Sequence, residues 1–142
     1  MKKFLQKKLN NEKGMTLIEL LAVIVIIAII AAIAIPAIGS LIENSRNGAV
    51  KADYQNALSA ANLYFTDNNS AAAATVTVAT LLSDSYLDDK GSLANEVKIT
   101  KAAGGNTIDG ATADAKYNIV TPITNANIGK ISNKNFKGTD IK

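Results

Sequence analysis

One carboxylate in this chain stands where a carboxylate is out of place. Glu19 sits at the head of a run, Leu20 to Ile42, that contains no charged residue. As a helix those 23 positions rise about 34 Å, enough to cross the hydrocarbon core of a bilayer. An ionisable side chain inside a membrane segment is costly on insertion scales and needs a partner. The plainer alternative is a carboxylate at the membrane boundary, favoured by the helix N-terminus and solvated by headgroups.

Other chemistry is sparse. The chain has no cysteine and no histidine. Disulfides, thiolate metal sites and thiol nucleophiles are therefore excluded, and the commonest general base is missing. The acids are scattered singly apart from Asp88-Asp89. That pair lacks a third ligand at sensible spacing and reads as a solvated turn. No Ser-Lys pair and no glycine-rich phosphate loop stands out, so we expect no enzyme, no cofactor and no metal. The formal charge of +3 is uneven: residues 1–14 hold five of the fifteen cations and one of the twelve anions. The remainder carries ten cations against eleven anions, and no basic-aromatic patch predicts nucleic-acid binding.

Several elements must position Glu19 and use the rest of the chain. Lys2, Lys3, Lys7, Lys8 and Lys13 precede the apolar run, which predicts that this end stays cytoplasmic. Leu20 to Ile35 is apolar all round, as in lipid or a fully buried helix. Ala28, Ala31, Ala32, Ala34 and Ala37 would let helices approach closely. Pro36 removes a backbone donor, with Gly39 three residues on. From Ile38 to Phe65 the pattern becomes amphipathic. One face carries Ile38, Leu41, Ile42, Ala49, Ala52, Ala60 and Leu63, assigned to neighbouring subunits. A second carries Val50, Tyr54, Ala57, Leu58, Ala61 and Phe65, assigned to the chain's own sheet. Asn44, Lys51, Gln55 and Asn62 fill the remaining side, and Gly48 reads as a bend. A single broad core-facing band is the other reading of these two stripes.

The helix should stop near Asp67-Asn68-Asn69-Ser70. Ala71 to Ala74 reads as loop and Thr75 to Val78 as a short extended piece. Thr80 can cap a short helix, Leu81 to Tyr86, with Tyr86-Leu87 anchoring the loop. Glu96 to Lys101 and Lys116 to Thr121 alternate as strands, the second ending at Pro122, with Gly104-Gly105-Asn106 as a turn. Asn127 to Ile131 is a weaker third strand, and the tail beyond Ser132 should fray.

Gly14-Met15-Thr16-Leu17-Ile18-Glu19-Leu20-Leu21, continued by Ala31-Ala32-Ile33-Ala34-Ile35-Pro36-Ala37, resembles the N-terminus of type IV prepilins, with their class III leader. The resemblance covers the first third of the chain. Met15 stands where that family most often has Phe; both are large and apolar. The resemblance implies cleavage after Gly14 by a prepilin peptidase and methylation of the new amine of Met15. Gly14, lacking a side chain, lets an extended backbone lie close to a protease's aspartates. The freed amine is a cation one helical turn from Glu19. By resemblance, Glu19 pairs with the amine of a neighbouring chain and guides assembly. The family also implies that the segment before Pro36 and Gly39 melts in the filament; a static kink is the alternative. Without cysteine, the disulfide-clamped loop frequent among Gram-negative pilins is impossible, so the resemblance leans toward a Gram-positive source.

The expected fold is α+β and type IV pilin-like. A long helix, roughly Thr16 to Phe65, packs in its second half on a small antiparallel sheet, a stalk with a head. The expected divisions are a leader at 1–14, a transmembrane and filament-core helix at 15–49 and a head at 50–142. The expected function is a structural subunit, membrane-anchored and then polymerised at the cell surface. Implied partners are copies of itself, the peptidase, an assembly ATPase and its membrane platform. Two alternatives remain: a pseudopilin of a type II secretion or DNA-uptake machine, and a single-pass anchored binding domain. A secretory signal cut after Ala34 fits poorly, because the helical pattern runs on past it and Glu19 goes unexplained.

Overall fold

A computed structural model describes residues 16–141 of the chain. Gly14 and Met15 lie outside the described residues. The chain divides after Leu41 into two units, each taken here by itself.

Helix α1 runs continuously over Leu17–Asp67. In the first unit it is the only element among the described residues. Its large apolar side chains there, from Leu17 through Leu41, are 45–85% exposed. The helix meets the length and hydropathy a membrane span requires, and no part of its most apolar 18-residue window is buried.

In the second unit α1 changes character. Val50, Tyr54, Ala57, Leu58, Ala61 and Phe65 are all buried, as the second apolar stripe predicts. Of the first stripe, Ile42 and Leu63 stay exposed, at 56% and 60%. Ala60 is the exception: it is 5% exposed and belongs to the core. Its position between the two stripes puts a small side chain within reach of either face.

After α1 come β1 (Thr75–Thr77), α2 (Val78–Ser83), β2 (Lys98–Thr100), β3 (Thr107–Ala111), β4 (Asn118–Thr124) and α3 (Asn125–Lys130). The four strands form one antiparallel sheet in the order β1-β2-β3-β4. This is the α+β architecture expected of a type IV pilin-like chain. The core joins the helix stripe to Val76, Ile99, Ile108, Ile119 and Ile123 of the strands and to Val78, Leu81 and Ile128 of the short helices.

Local expectations needed four corrections. Helix α2 starts at Val78 and its cap is Thr77, not Thr80; the Thr77 hydroxyl accepts from the Thr80 amide. Strand β4 does not end at Pro122 but runs to Thr124. Pro122 is tolerated because β4 is an edge strand whose register slips there: Ile108 faces Ile123, while Gly110 faces Ile119. A bulged edge strand has no need of that amide. The weak third strand is instead helix α3, because the Thr124 side chain caps it by accepting from Asn127 N. Finally, the tail docks. Phe136 is fully buried, edge-on to Tyr54 at 5.9 Å and stacked on Tyr117 at 6.5 Å. Ile141 is buried and bridges Ile119.

Strand β3 has no counterpart among the expected strands. Gly110 holds a φ of +123°, and a Cβ there would lie 3.0 Å from Val97 Cα. Only glycine suits both the torsion and the approach. The same residue is tied to the helix through its carbonyl, which accepts from the Tyr54 hydroxyl at 2.8 Å. Burial pushes the Tyr54 phenol well above its ordinary pKa, with Asp114 and Asp53 adding to it. It therefore stays protonated as the donor this bond requires.

Candidate functional site

The candidate site is the start of α1 and the bare apolar helix behind it. Thr16 is not helical, and the Leu20 amide already donates to its carbonyl at 3.0 Å. That makes Thr16 the N-cap and Glu19 the third helical residue. The two bind reciprocally. The Glu19 amide donates to Thr16 Oγ1 at 3.3 Å, while Glu19 Oε2 accepts from Thr16 N at 2.8 Å and from Thr16 Oγ1 at 2.9 Å. This is a capping box, which satisfies amide donors that a helix start leaves open. The signal is present in the sequence as Thr-x-x-Glu before an apolar run, and the reading from sequence missed Thr16.

The box gives Glu19 a local role. Both accepted bonds fall on Oε2, and Oε1 accepts from no donor among the described residues. The side chain is exposed at the helix tip, where an incoming cation can reach it.

The other sequence-derived positions lie elsewhere. Pro36 and Gly39 are inside α1, which passes through both without interruption. Seventeen residues separate Glu19 from Pro36, about 26 Å along a helix. The structure therefore does not bring them together. A side chain at Gly39 would meet nothing within 4 Å, so packing does not explain that glycine. The next hydroxyl, Ser40 Oγ, bonds back to Ala37 O at 2.9 Å. Asp89 is engaged in a turn, accepting from Gly91 N at 2.9 Å. Among the described residues no group of three or more carboxylates could hold a metal.

Residues 9–35 match the family model of the prokaryotic N-terminal methylation motif. The chain carries the class III leader of type IV pilins. The matched segment runs from Leu9 through Lys13, Gly14, Met15, the capping box and the apolar run as far as Ile35. It marks a pilin-like or pseudopilin-like substrate of prepilin peptidase and points to a structural protein anchored in a membrane before assembly. No curated protein and no solved structure matches the chain.

The second unit holds polar contacts that sequence reasoning passed over. Asn47 is 1% exposed within α1. Its Oδ1 accepts from Tyr117 Oη at 2.7 Å and its Nδ2 donates to Asn133 O at 2.8 Å. Gly48 makes room beside it, since a Cβ there would lie 2.8 Å from Asn133 Nδ2. The apolar pattern leaves Lys51 and Gln55 on the side between the two stripes, with no partner assigned. Lys51 Nζ donates to Gly129 O and Ile131 O, at 3.1 and 2.7 Å, and Gln55 Nε2 to Asn125 Oδ1 at 2.8 Å. These bonds hold α3 and the tail against α1. The Asp53 carboxylate likewise holds the loop before β2, accepting from Ser92 N at 2.9 Å and Ser92 Oγ at 2.6 Å.

Proposed function

We propose that this chain is a subunit that polymerises through its N-terminal apolar helix into a type IV pilus filament. The observation that supports it most is the bare helix: a span-length run, none of whose most apolar window is buried, begins inside a methylation motif. Such a surface is stable in lipid or against other helices, not in water. Lipid serves before assembly and sister helices after it. The leader at 1–14 is removed after Gly14, and the amine of Met15 is methylated. Residues 15–49 are the membrane and filament-core segment and 50–142 the head. Val50, the first buried apolar residue of α1, supports the start of the head. The chain is an enzyme's substrate and not itself an enzyme, and its assembly requires an ATPase and a membrane platform.

Glu19 pairs with the Met15 amine of an adjacent copy through the oxygen its own cap leaves open. Pro36 and Gly39 give the filament core a place to loosen, because α1 lacks one amide at Pro36 and gains backbone freedom at Gly39. Filaments of this kind serve adhesion or twitching motility at the cell surface. Glu19→Ala should leave membrane insertion and leader removal intact and abolish filaments. Normal filament yield from that variant refutes the pairing. Electron microscopy of intact cells separates a surface pilus from the short filament of a pseudopilin.

A further inference from the structure

Within the second unit, α1 leaves one strip of its surface uncovered: Ala52, Asn56, Ser59 and Leu63 are exposed. The two flanks of that strip differ in charge. On one side Leu63 and the loop residues Tyr86 to Asp89 form an open cleft of about 370 Å³ with Asn56, Ser59 and Ala60. Leu63 and the half-buried Leu87 make it apolar. Exposed Asp88 and Asp89 rim it. Among the described residues neither carboxylate has a cation partner. On the other side α3 and the tail are held by Lys51 and Gln55. They present Lys130, Lys134 and Lys137, all exposed and without a carboxylate partner among the described residues.

The acids and the lysines lie on opposite flanks of one helix, so they cannot meet within a chain. Two copies side by side can bring them together. We infer that the Leu63–Asp89 cleft receives the lysine-bearing tail of a second copy, Lys134 and Lys137 seated against Asp88 and Asp89. The contact is heterologous, one patch against a different one, and such contacts propagate into helical polymers and not closed dimers. It also sets a stagger. The tail meets α1 beside Gly48, whereas the cleft spans Asn56 to Leu63. That offset of 8 to 15 residues is roughly 12–22 Å along the helix, so the neighbour must be displaced axially by about that much. Complementary charge of this sort fixes register and partner more than it adds affinity.

This inference rests on the polymer reading above, and the test keeps the two apart. The chain has no cysteine, so Asp89→Cys combined with Lys134→Cys introduces the only thiols. In surface-sheared material under mild oxidation, this double variant should give a ladder of disulfide-linked multimers. Asp89→Cys combined with Lys98→Cys should not. Asp88→Lys with Asp89→Lys should lower filament yield about tenfold, since like charges would then face each other. Adding Lys134→Asp and Lys137→Asp in the same chain should restore it. Filaments visible by microscopy without the 89–134 ladder overturn this contact and leave the polymer reading standing. Absence of filaments from the unmodified chain overturns both.

Discussion

Two stretches of one helix behave as opposites. Before Leu41, α1 exposes nearly every Leu, Ile and Val it has; after Asn47 it buries a single stripe of them against the chain's own sheet. The composition of the first stretch is richer in apolar residues, yet it is the second that is satisfied. Apolar content alone therefore does not make a core. A core needs a second element with a facing apolar surface, and among the described residues only the region from Ile42 onward has strands and short helices to supply one. Among the described residues nothing covers the most apolar window of the first stretch. The second also has polar anchors, Asn47 to Tyr117 and Tyr54 to Gly110 O, which fix one arrangement where packing alone would tolerate several.

Substitutions should separate the two regions cleanly. The largest effect is expected from Ile30→Lys, in the middle of the apolar run. A lysine at the centre of a span costs about 2.5–3.5 kcal/mol on insertion scales. Filament yield should fall to background, while thermal unfolding of the region from Ile42 onward, followed in detergent, stays unchanged. Phe136→Ala is the converse. It removes a fully buried ring from the second unit and should destabilise it by about 3–5 kcal/mol in denaturant titrations. Leu63→Ala, on the exposed strip, should change the same measurement by less than about 0.5 kcal/mol. If Leu63→Ala proved as damaging as Phe136→Ala, the distinction between buried and open faces of α1 would fail.

The smallest effect concerns pH. The Thr112 hydroxyl at 2.6 Å and the Lys116 amide at 3.0 Å hold the Asp114 carboxyl below its ordinary pKa, the Thr112 bond contributing most. A carboxyl lowered by folding adds stability above its unfolded pKa, and that contribution is lost as pH falls through the folded value. The group is exposed, so the effect on stability is slight. Thr112→Val should return the Asp114 titration, followed by NMR, toward the usual aspartate range.

Much of this was legible in the residues. The membrane-length run, the anomalous Glu19 and the stripe from Val50 to Phe65 all follow periodicities that a helix imposes locally. What could not be read depended on contacts distant in sequence. Phe136 is one ring in a polar tail and has no periodic neighbours; its burial comes from Tyr54 and Tyr117. Strand β3 offers one large apolar side chain, Ile108, and a glycine that exists for Val97's sake. The partners of Lys51 and Gln55 could not be read because their acceptors sit 70 or more positions away. Two misses were avoidable. Thr16-x-x-Glu19 and the threonine caps Thr77 and Thr124 are local signals, and reading the hydroxyl first would have placed α2 and α3 correctly.

The claim on which the whole account turns is that the bare helix begins at a newly made amine and is then covered by other copies. Mass spectrometry of the N-terminus in surface-sheared material tests it most directly. A chain that begins with methylated Met15 is the predicted result. A chain that begins at Ile35, or that retains residues 1–14 in working filaments, contradicts it.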